Sequence, residues 1–356
     1  MYELLLEGEF TKDFLERLRL ARSRIYLQMM TFEADASGKQ VFGLLLKAKK
    51  RGVDVRIIVD KYTDMMVSNM PAKHPSVREE AILTAYAFAM LKKAGIPVVR
   101  TRPLGPLQAY ILFRNHKKLF IIDDMSYIGG MNISDHNFAW HDFMVRIDDP
   151  TRTAVLVKDF LQTEKGEVSD LKKKGILTNR HIRDSFLRLL RTARKEVIIS
   201  SPYVLDPFLF NVIQKVRPGV RVLLLTLGKN NVGIINTMSP YVVRRLINAG
   251  VLVREYGRFS HAKFVMVDRK CMLVGSSNFG MESVLCKDEI GLLIKDSVFV
   301  ENAYLRLVEA EKTSPAVMPE RADILLSSAL VGFLVKQSLP VYGSVLKRHV
   351  PVLCSP

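Results

Sequence analysis

The chain repeats itself. Residues 14–32 (FLERLRLARSRIYLQMMTF) and 186–204 (FLRLLRTARKEVIISSPYV) share one pattern, an amphipathic helix ending in Ala-Arg and then an apolar run of strand length. Arg51-Gly52-Val53 is matched by Pro218-Gly219-Val220, and Ala94-Gly95-Ile96 by Ala249-Gly250-Val251. In each, Gly stands where a helix stops and a buried strand begins. Each half therefore reads strand, helix, strand, helix, strand, and then a further strand pair. Helices alternating with short apolar strands predict an α/β fold built of two pseudo-repeated sandwich halves, with largely parallel sheets packed together. The expected division is 1–165, 166–312 and a C-terminal tail, 313–356. The offset between matching positions shrinks along the chain, so the first half carries the longer loops, chiefly within 61–81 and 101–115. A loop that runs straight into a motif, as 101–115 does, is expected to serve it.

At matching places in the repeat stand two motifs. His116-Lys117-Lys118-Leu119-Phe120-Ile121-Ile122-Asp123 is trailed by Gly129-Gly130-Met131-Asn132. His261-Ala262-Lys263-Phe264-Val265-Met266-Val267-Asp268 is trailed by Gly275-Ser276-Ser277-Asn278. With 7 His in the chain, about 0.1 such basic–acidic triplets would arise by chance. Two in register are not an accident. His and Lys two apart on a strand share a face, and the apolar runs LFII and FVMV bury the strand and hold its polar end rigid. Gly allows close backbone approach, and Asn adds an amide donor.

Facing halves would gather two imidazoles, two ammoniums and two amides at their interface. That set suits phosphodiester exchange. One imidazole attacks phosphorus while the other, protonated, donates to the leaving oxygen. Lys118, Lys263, Asn132 and Asn278 would stabilise the equatorial oxygens, with neither a metal nor a cofactor called for. Asp123 and Asp268 are expected to anchor the strand ends rather than carry protons. The motifs differ in two ways. The stretch from Asp123 to Gly129 is one residue shorter than that from Asp268 to Gly275, and Gly130 stands where the other motif has Ser276. Both differences are expected in the turn. His74, His136, His141 and His181 match no motif position and read as surface or structural residues.

These residues resemble the phospholipase D superfamily, over roughly residues 10–310. The resemblance implies that one motif histidine forms a covalent phosphohistidine and the other acts as acid, then base. It points to His116 as nucleophile and His261 as acid/base, a choice the symmetry of the motifs does not make. It also implies a downstream carboxylate orienting each histidine, Glu289 in the second half and Asp142 in the first. Within the superfamily, Ile25, Phe32, Asp35, Gly38, Ala48, Arg51-Gly52-Val53 and Asp60 are similar to the pattern of bacterial cardiolipin synthases and related phosphatidyltransferases. So are Gly130-Met131-Asn132-Ile133, Trp140-His141-Asp142 and Val145-Arg146-Ile147. The implied reaction passes a phosphatidyl group from a glycerophospholipid to His116, then to an alcohol such as a second phosphatidylglycerol. Water as acceptor would make a phospholipase D, and nucleic acid as substrate a nuclease. Simple nucleases of the superfamily usually carry one motif and dimerise. A chain with both is expected to be catalytically complete as a monomer.

Charge narrows the partners. Against 53 Lys and Arg stand 36 Asp and Glu, for a net charge of +17. Such a surplus favours an anionic membrane surface with its phospholipids, or nucleic acid. The opening MYELLLEGEF has no signal-peptide pattern, and the chain has no run of 18 uncharged apolar residues. Ile324–Val335, apolar and followed by Lys336 and Lys347-Arg348, is expected to lie in the membrane interface. Cys271, Cys286 and Cys354 are odd in number and lack ligand spacing, which predicts no disulfide framework, no zinc site and a reducing compartment. The expected location is cytoplasmic, peripheral on the inner face of the cytoplasmic membrane.

Overall fold

The computed structural model describes residues 1–64, 75–204, 207–231, 233–317, 340–342 and 350–354. Its first part runs β1 (Tyr2–Leu6), α1 (Glu7–Leu20), β2 (Arg24–Met29), α2 (Ala36–Lys50), β3 (Asp54–Asp60), α3 (Pro75–Lys93), β4 (Val98–Thr101), β5 (Leu119–Ile122), β6 (Met125–Gly129), α4 (Asp135–Ala139), β7 (Phe143–Asp148) and α5 (Pro150–Glu164). The second runs β8 (Lys172–Lys173), β9 (Ile176–Thr178), α6 (Arg180–Thr192), β10 (Glu196–Ser200), α7 (Pro207–Ile213), β11 (Arg221–Thr226), α8 (Gly233–Asn248), β12 (Leu252–Glu255), β13 (Phe264–Val267), β14 (Cys271–Gly275), α9 (Met281–Leu285), β15 (Ile290–Ile294) and α10 (Ser297–Leu307). One sheet has the order β1-β7-β6-β5-β2-β3-β4, the other β12-β11-β10-β13-β14-β15-β9-β8. The repeat is plain in this order, and in Gly95 and Gly250, which end α3 and α8 with φ of +74° and +85°.

The sheets are mixed, not largely parallel as the sequence pattern predicts. β2, β3 and β4 run parallel, as do β10, β11 and β12, because a helix returns the chain between successive strands. The motif strands β5 and β13 instead lead into tight hairpins, so β5-β6-β7 and β13-β14-β15 pair antiparallel. The first hairpin turns on Asp123-Asp124 and the second on Asp268-Arg269-Lys270. The extra residue of the second motif therefore lies in the turn, as expected.

Each motif strand is buried on both faces. Phe120 and Ile122 pack outward with Phe10, Phe14 and Leu18 of α1. Leu119 and Ile121 pack inward, where Phe264, Met266, Val274 and Ile290 of the second sheet meet them in one shared core. α5 adds Leu156 and Phe160 to that core, and α10 adds Phe299, Ala303 and Leu307. Full burial of each large apolar side chain contributes about 1.5–3 kcal/mol, so this shared core holds the two sheets together.

The described parts of the C-terminal tail extend the sheet edges. Ala316 lies opposite Arg254 beside β12, and Leu353 opposite Thr101 beside β4. The apolar segment 324–335 and His74 lie outside the described residues, as do 65–74 of the first long loop. Among the described residues no helix is long and apolar enough to cross a membrane.

Asp123 and Asp268 sit at the far ends of the motif strands, each in left-handed backbone with φ of +52°. Asp123 accepts from the backbone N–H of Arg22 at 3.1 Å, Ser23 at 2.7 Å and Arg24 at 3.2 Å. Asp268 accepts from Arg194 at 2.9 Å, Lys195 at 2.7 Å and Glu196 at 3.0 Å. Each carboxylate thus ties its hairpin to the start of the neighbouring strand. Partial burial pulls both pKa values up, but these amide donors outweigh it and hold them below the ordinary 3.8. A depressed carboxylate pKa stabilises the fold above the unfolded value, and the contribution is lost as pH falls through the folded one. Asp123→Ala and Asp268→Ala should each lower stability to urea by about 1–3 kcal/mol at neutral pH. The gap to the parent protein should close as the pH drops below 3.8; a gap that persists in acid would mean the carboxylates are not the anchors.

Candidate active site

The residues before each motif strand are set by backbone pairing with the opposite half. Asn115 lies opposite Asp288 in a parallel bridge, where Asp288 N–H donates to Arg114 O at 2.9 Å and His116 N–H to Asp288 O at 2.8 Å. His141 lies opposite Ser260 in the same way, with His141 N–H donating to Phe259 O at 3.1 Å and His261 N–H to His141 O at 2.8 Å. The side chains follow the backbone. His116 Nδ1 is 3.0 Å from Glu289 Oε2, and His261 Nδ1 is 2.9 Å from Asp142 Oδ2. The pairs are crossed: each carboxylate orients the histidine of the other half. All four side chains are buried. With Nδ1 engaged, Nε2 is the ring nitrogen left for reaction.

Lys118 Nζ donates to the carbonyl of His116 at 2.9 Å, and Lys263 Nζ to that of His261 at 2.6 Å. Burial disfavours both ammoniums, holding Lys118 well below its usual range and Lys263 at about 7, against the pull of Glu289 and Asp142. Burial likewise lowers both imidazoles, helped by Lys118 at His116 and by Lys263 at His261, where Asp142 opposes it and the value is about 4. Burial raises Glu289 to about 7 against Lys287, Ser276 and Lys118. The cations are short of negative partners, and an anion among them would raise all four.

The two asparagines differ. Asn132 Oδ1 accepts from the N–H of Met30 at 3.2 Å and Thr31 at 3.3 Å, and its amide donates to Asn137 at 3.4 Å. The Asn278 amide is buried with neither its oxygen nor its nitrogen partnered among the described residues. A buried amide left so costs about 1–3 kcal/mol.

Gly130 and Ser276 do not lie in the turn, contrary to expectation. A Cβ on Gly130 would come 2.4 Å from Asp142 Oδ2, so only Gly leaves room for that carboxylate. Ser276 Oγ instead donates to Glu289 Oε2. Gly129 and Gly275 let β6 and β14 close on their neighbours, since a Cβ would come 2.3 Å from Phe143 O or 2.2 Å from Ile290 O. His141 is buried against Ser260, while His181 pairs with Asp170 at 2.9 Å.

Motif reasoning misses several neighbours. Lys117, at the variable place between His and Lys, is buried and paired with Asp159 of α5 at 2.8 Å. Its signal was present as a second basic residue where the other motif has Ala262. Trp140 and Tyr203 put rings 5.5 and 5.9 Å from that of His261, and Lys287 acts electrostatically on His116 and both motif lysines. Nothing in the spacing marks Tyr203 or Lys287. Among the described residues Glu33, Asp35 and His136 have metal-ligand spacing. None is a motif residue, and Asp35 already caps α2 through Gly38 N–H at 2.9 Å.

In an NMR titration His261 should protonate near pH 4. Asp142→Asn removes the carboxylate that supports the imidazolium and should lower that value, whereas inorganic phosphate should raise it. An unmoved midpoint in the Asn variant would show that Asp142 does not act on the ring.

The family described as cardiolipin synthase, phospholipase D-like domain, matches residues 14–163 and 186–306. Cardiolipin synthase B of Salmonella typhi is 26% identical across 99% of this chain and 91% of its own length. That of Escherichia coli K12 is 25% identical across 94% and 86%. The crystal structure of phosphatidylserine synthase from Haemophilus influenzae shares the fold, with a TM-score of 0.72 over 98% of this chain and 95% of that one at 15% identity. Two motif-bearing halves, crossed over one site, thus coincide with both matched segments, and the chain belongs to the cardiolipin synthase family of phospholipase D-like enzymes.

Proposed function

We propose that this protein transfers a phosphatidyl group from one phospholipid to the hydroxyl of another through a covalent phosphohistidine. The observation that carries this assignment is the crossed pair of buried histidines, each held at Nδ1 by a carboxylate of the other half. His116 Nε2 attacks phosphorus as His261 gives its proton to the departing headgroup oxygen, breaking that P–O bond. The acceptor hydroxyl then gives its proton to His261 and attacks phosphorus, and the P–N bond to His116 breaks. His261 must begin protonated. Its low proton affinity is corrected by the anionic diester itself, which adds to the pull of Asp142. Lys118, Lys263 and the unpartnered Asn278 amide stabilise the equatorial oxygens, so no metal ion is needed for that work. The relatives named as cardiolipin synthases, together with the net charge of +17, support an anionic phospholipid substrate met at the inner face of the cytoplasmic membrane.

The test is turnover of labelled phosphatidylglycerol vesicles. His116→Asn and His261→Asn should each lose at least about 1,000-fold in rate, while Cys271→Ala retains activity. With a labelled phosphatidyl nitrophenol donor, whose leaving group departs without needing a proton, a phosphatidyl-protein adduct should accumulate in His261→Asn quenched in alkaline denaturant, where a P–N bond survives, and be missing from His116→Asn. The reverse pattern would exchange the two roles, and full activity in either variant would remove the two-histidine mechanism. Glu289→Gln and Asp142→Asn should slow turnover about 10- to 100-fold, and excess EDTA should leave the rate unchanged. Loss of activity on chelation, restored by a divalent ion, would overturn the metal-independent step.

Vesicle binding should also weaken with salt, since each Lys or Arg near an anionic surface contributes about 1 kcal/mol that screening removes. Equal co-sedimentation with neutral and anionic vesicles would argue against an electrostatic membrane contact.

A further inference from the structure

The pseudo-twofold arrangement breaks at the positions around the two rings. Setting His116 against His261 and Glu289 against Asp142 places Arg114 against Phe259 and Lys287 against Trp140. The ends of β2 and β10 place Thr31 against Tyr203. His261 is thus flanked by aromatic rings, with the ring centroid of Phe259 4.5 Å from that of Trp140 and the two planes tilted by 40°. The equivalent positions at His116 are cationic or small. Arg114 is committed to Asp60 at 2.7 Å and to the carbonyls of Pro103 and Tyr110. Lys287 is held differently. Its ion pair among the described residues is a long one, 3.5 Å to Glu282, and its side chain is only 14% exposed. It stands two residues before Glu289 on the extended segment that pairs with Asn115, so both side chains lie on one side of the chain. Its charge reaches His116, Lys118, Lys263 and Glu289.

We propose that Lys287 is a specificity residue that selects an acceptor carrying its own phosphate. In the transfer proposed above, on which this inference rests, an acceptor phospholipid brings a second phosphodiester joined through the glycerol that bears the attacking hydroxyl. The motif lysines serve the reacting phosphate. A third ammonium, half-buried and held only by its long ion pair to Glu282 among the described residues, serves the second one, and a neutral alcohol has nothing to offer it. The aromatic side, around the general acid/base, takes the carbon skeleton of the glycerol.

The experiment uses the full chain, labelled phosphatidylglycerol vesicles as donor, and glycerol or glycerol 1-phosphate as competing acceptors. The readout is the ratio of kcat/KM for glycerol 1-phosphate to that for glycerol. Lys287→Met should lower the ratio at least about tenfold, and Lys287→Arg should restore most of it. Lys287→Gln gives the same comparison should the Met variant fold poorly. An unchanged ratio, with both acceptors slowed alike or neither slowed, would overturn the inference and leave the transfer mechanism standing. Failure of the parent protein to transfer to any acceptor, or to hydrolyse the lipid, would overturn both.

Discussion

Everything at the site depends on an exchange between halves. The chain before each motif strand forms its backbone bridge with the other half, and each histidine takes its carboxylate from there. Neither half holds a complete unit. The ring orientation on which nucleophilic or acid–base work depends is therefore a property of how the two sheets pack. The shared core of Leu119, Ile121, Phe264 and Met266 lies directly behind the reactive groups, so the forces that join the sheets also fix the imidazoles. Interiors at crystal-like density transmit small displacements instead of absorbing them. A change in the shared core is thus felt at the site.

The electrostatics of the site follow from the same burial. Two ammoniums and two imidazoles are withdrawn from water, with their proton affinities lowered chiefly by desolvation. The ammoniums donate to carbonyl oxygens, the imidazoles face one carboxylate each, and the Asn278 amide has no partner among the described residues. Such groups are costly to bury, and a phosphodiester is the kind of anion that would make the arrangement favourable. Binding energy of this kind concentrates where charge develops during transfer at phosphorus.

The departures from symmetry have separate causes. The longer second hairpin changes only the turn, far from the histidines. Gly130 and Ser276 answer to the lengths of the two orienting acids. The short Asp142 needs the space a Cβ would fill, while Glu289 is steadied by the Ser276 hydroxyl. These two differences are thus compensated within their own pairs, and each imidazole is held at Nδ1 by a carboxylate of the other half. The flanking positions are not compensated, and there the two sides of the site become chemically unlike.

Much of this was legible in the residues alone. The repeat announced two like halves, because helix and strand periodicities are local properties of a sequence. The motifs named His116, His261, Lys118 and Lys263 because residues two apart on a strand share a face wherever that strand lies. Sheet direction was misjudged, since nothing local tells whether a strand pairs with its predecessor through a helix or a hairpin until the turns at Asp123 and Asp268 are seen. The crossing of Glu289 to His116 and Asp142 to His261 was also out of reach, as were Lys117 with Asp159 and the placement of Lys287 and Tyr203. These join residues far apart in the chain, whose distance is set by how two sheets dock. The sequence by itself determined which groups are present and which neighbours share a face. Only the tertiary structure decided which half completes which histidine, because orientation across an interface comes from the packing of the whole core and not from any stretch of chain.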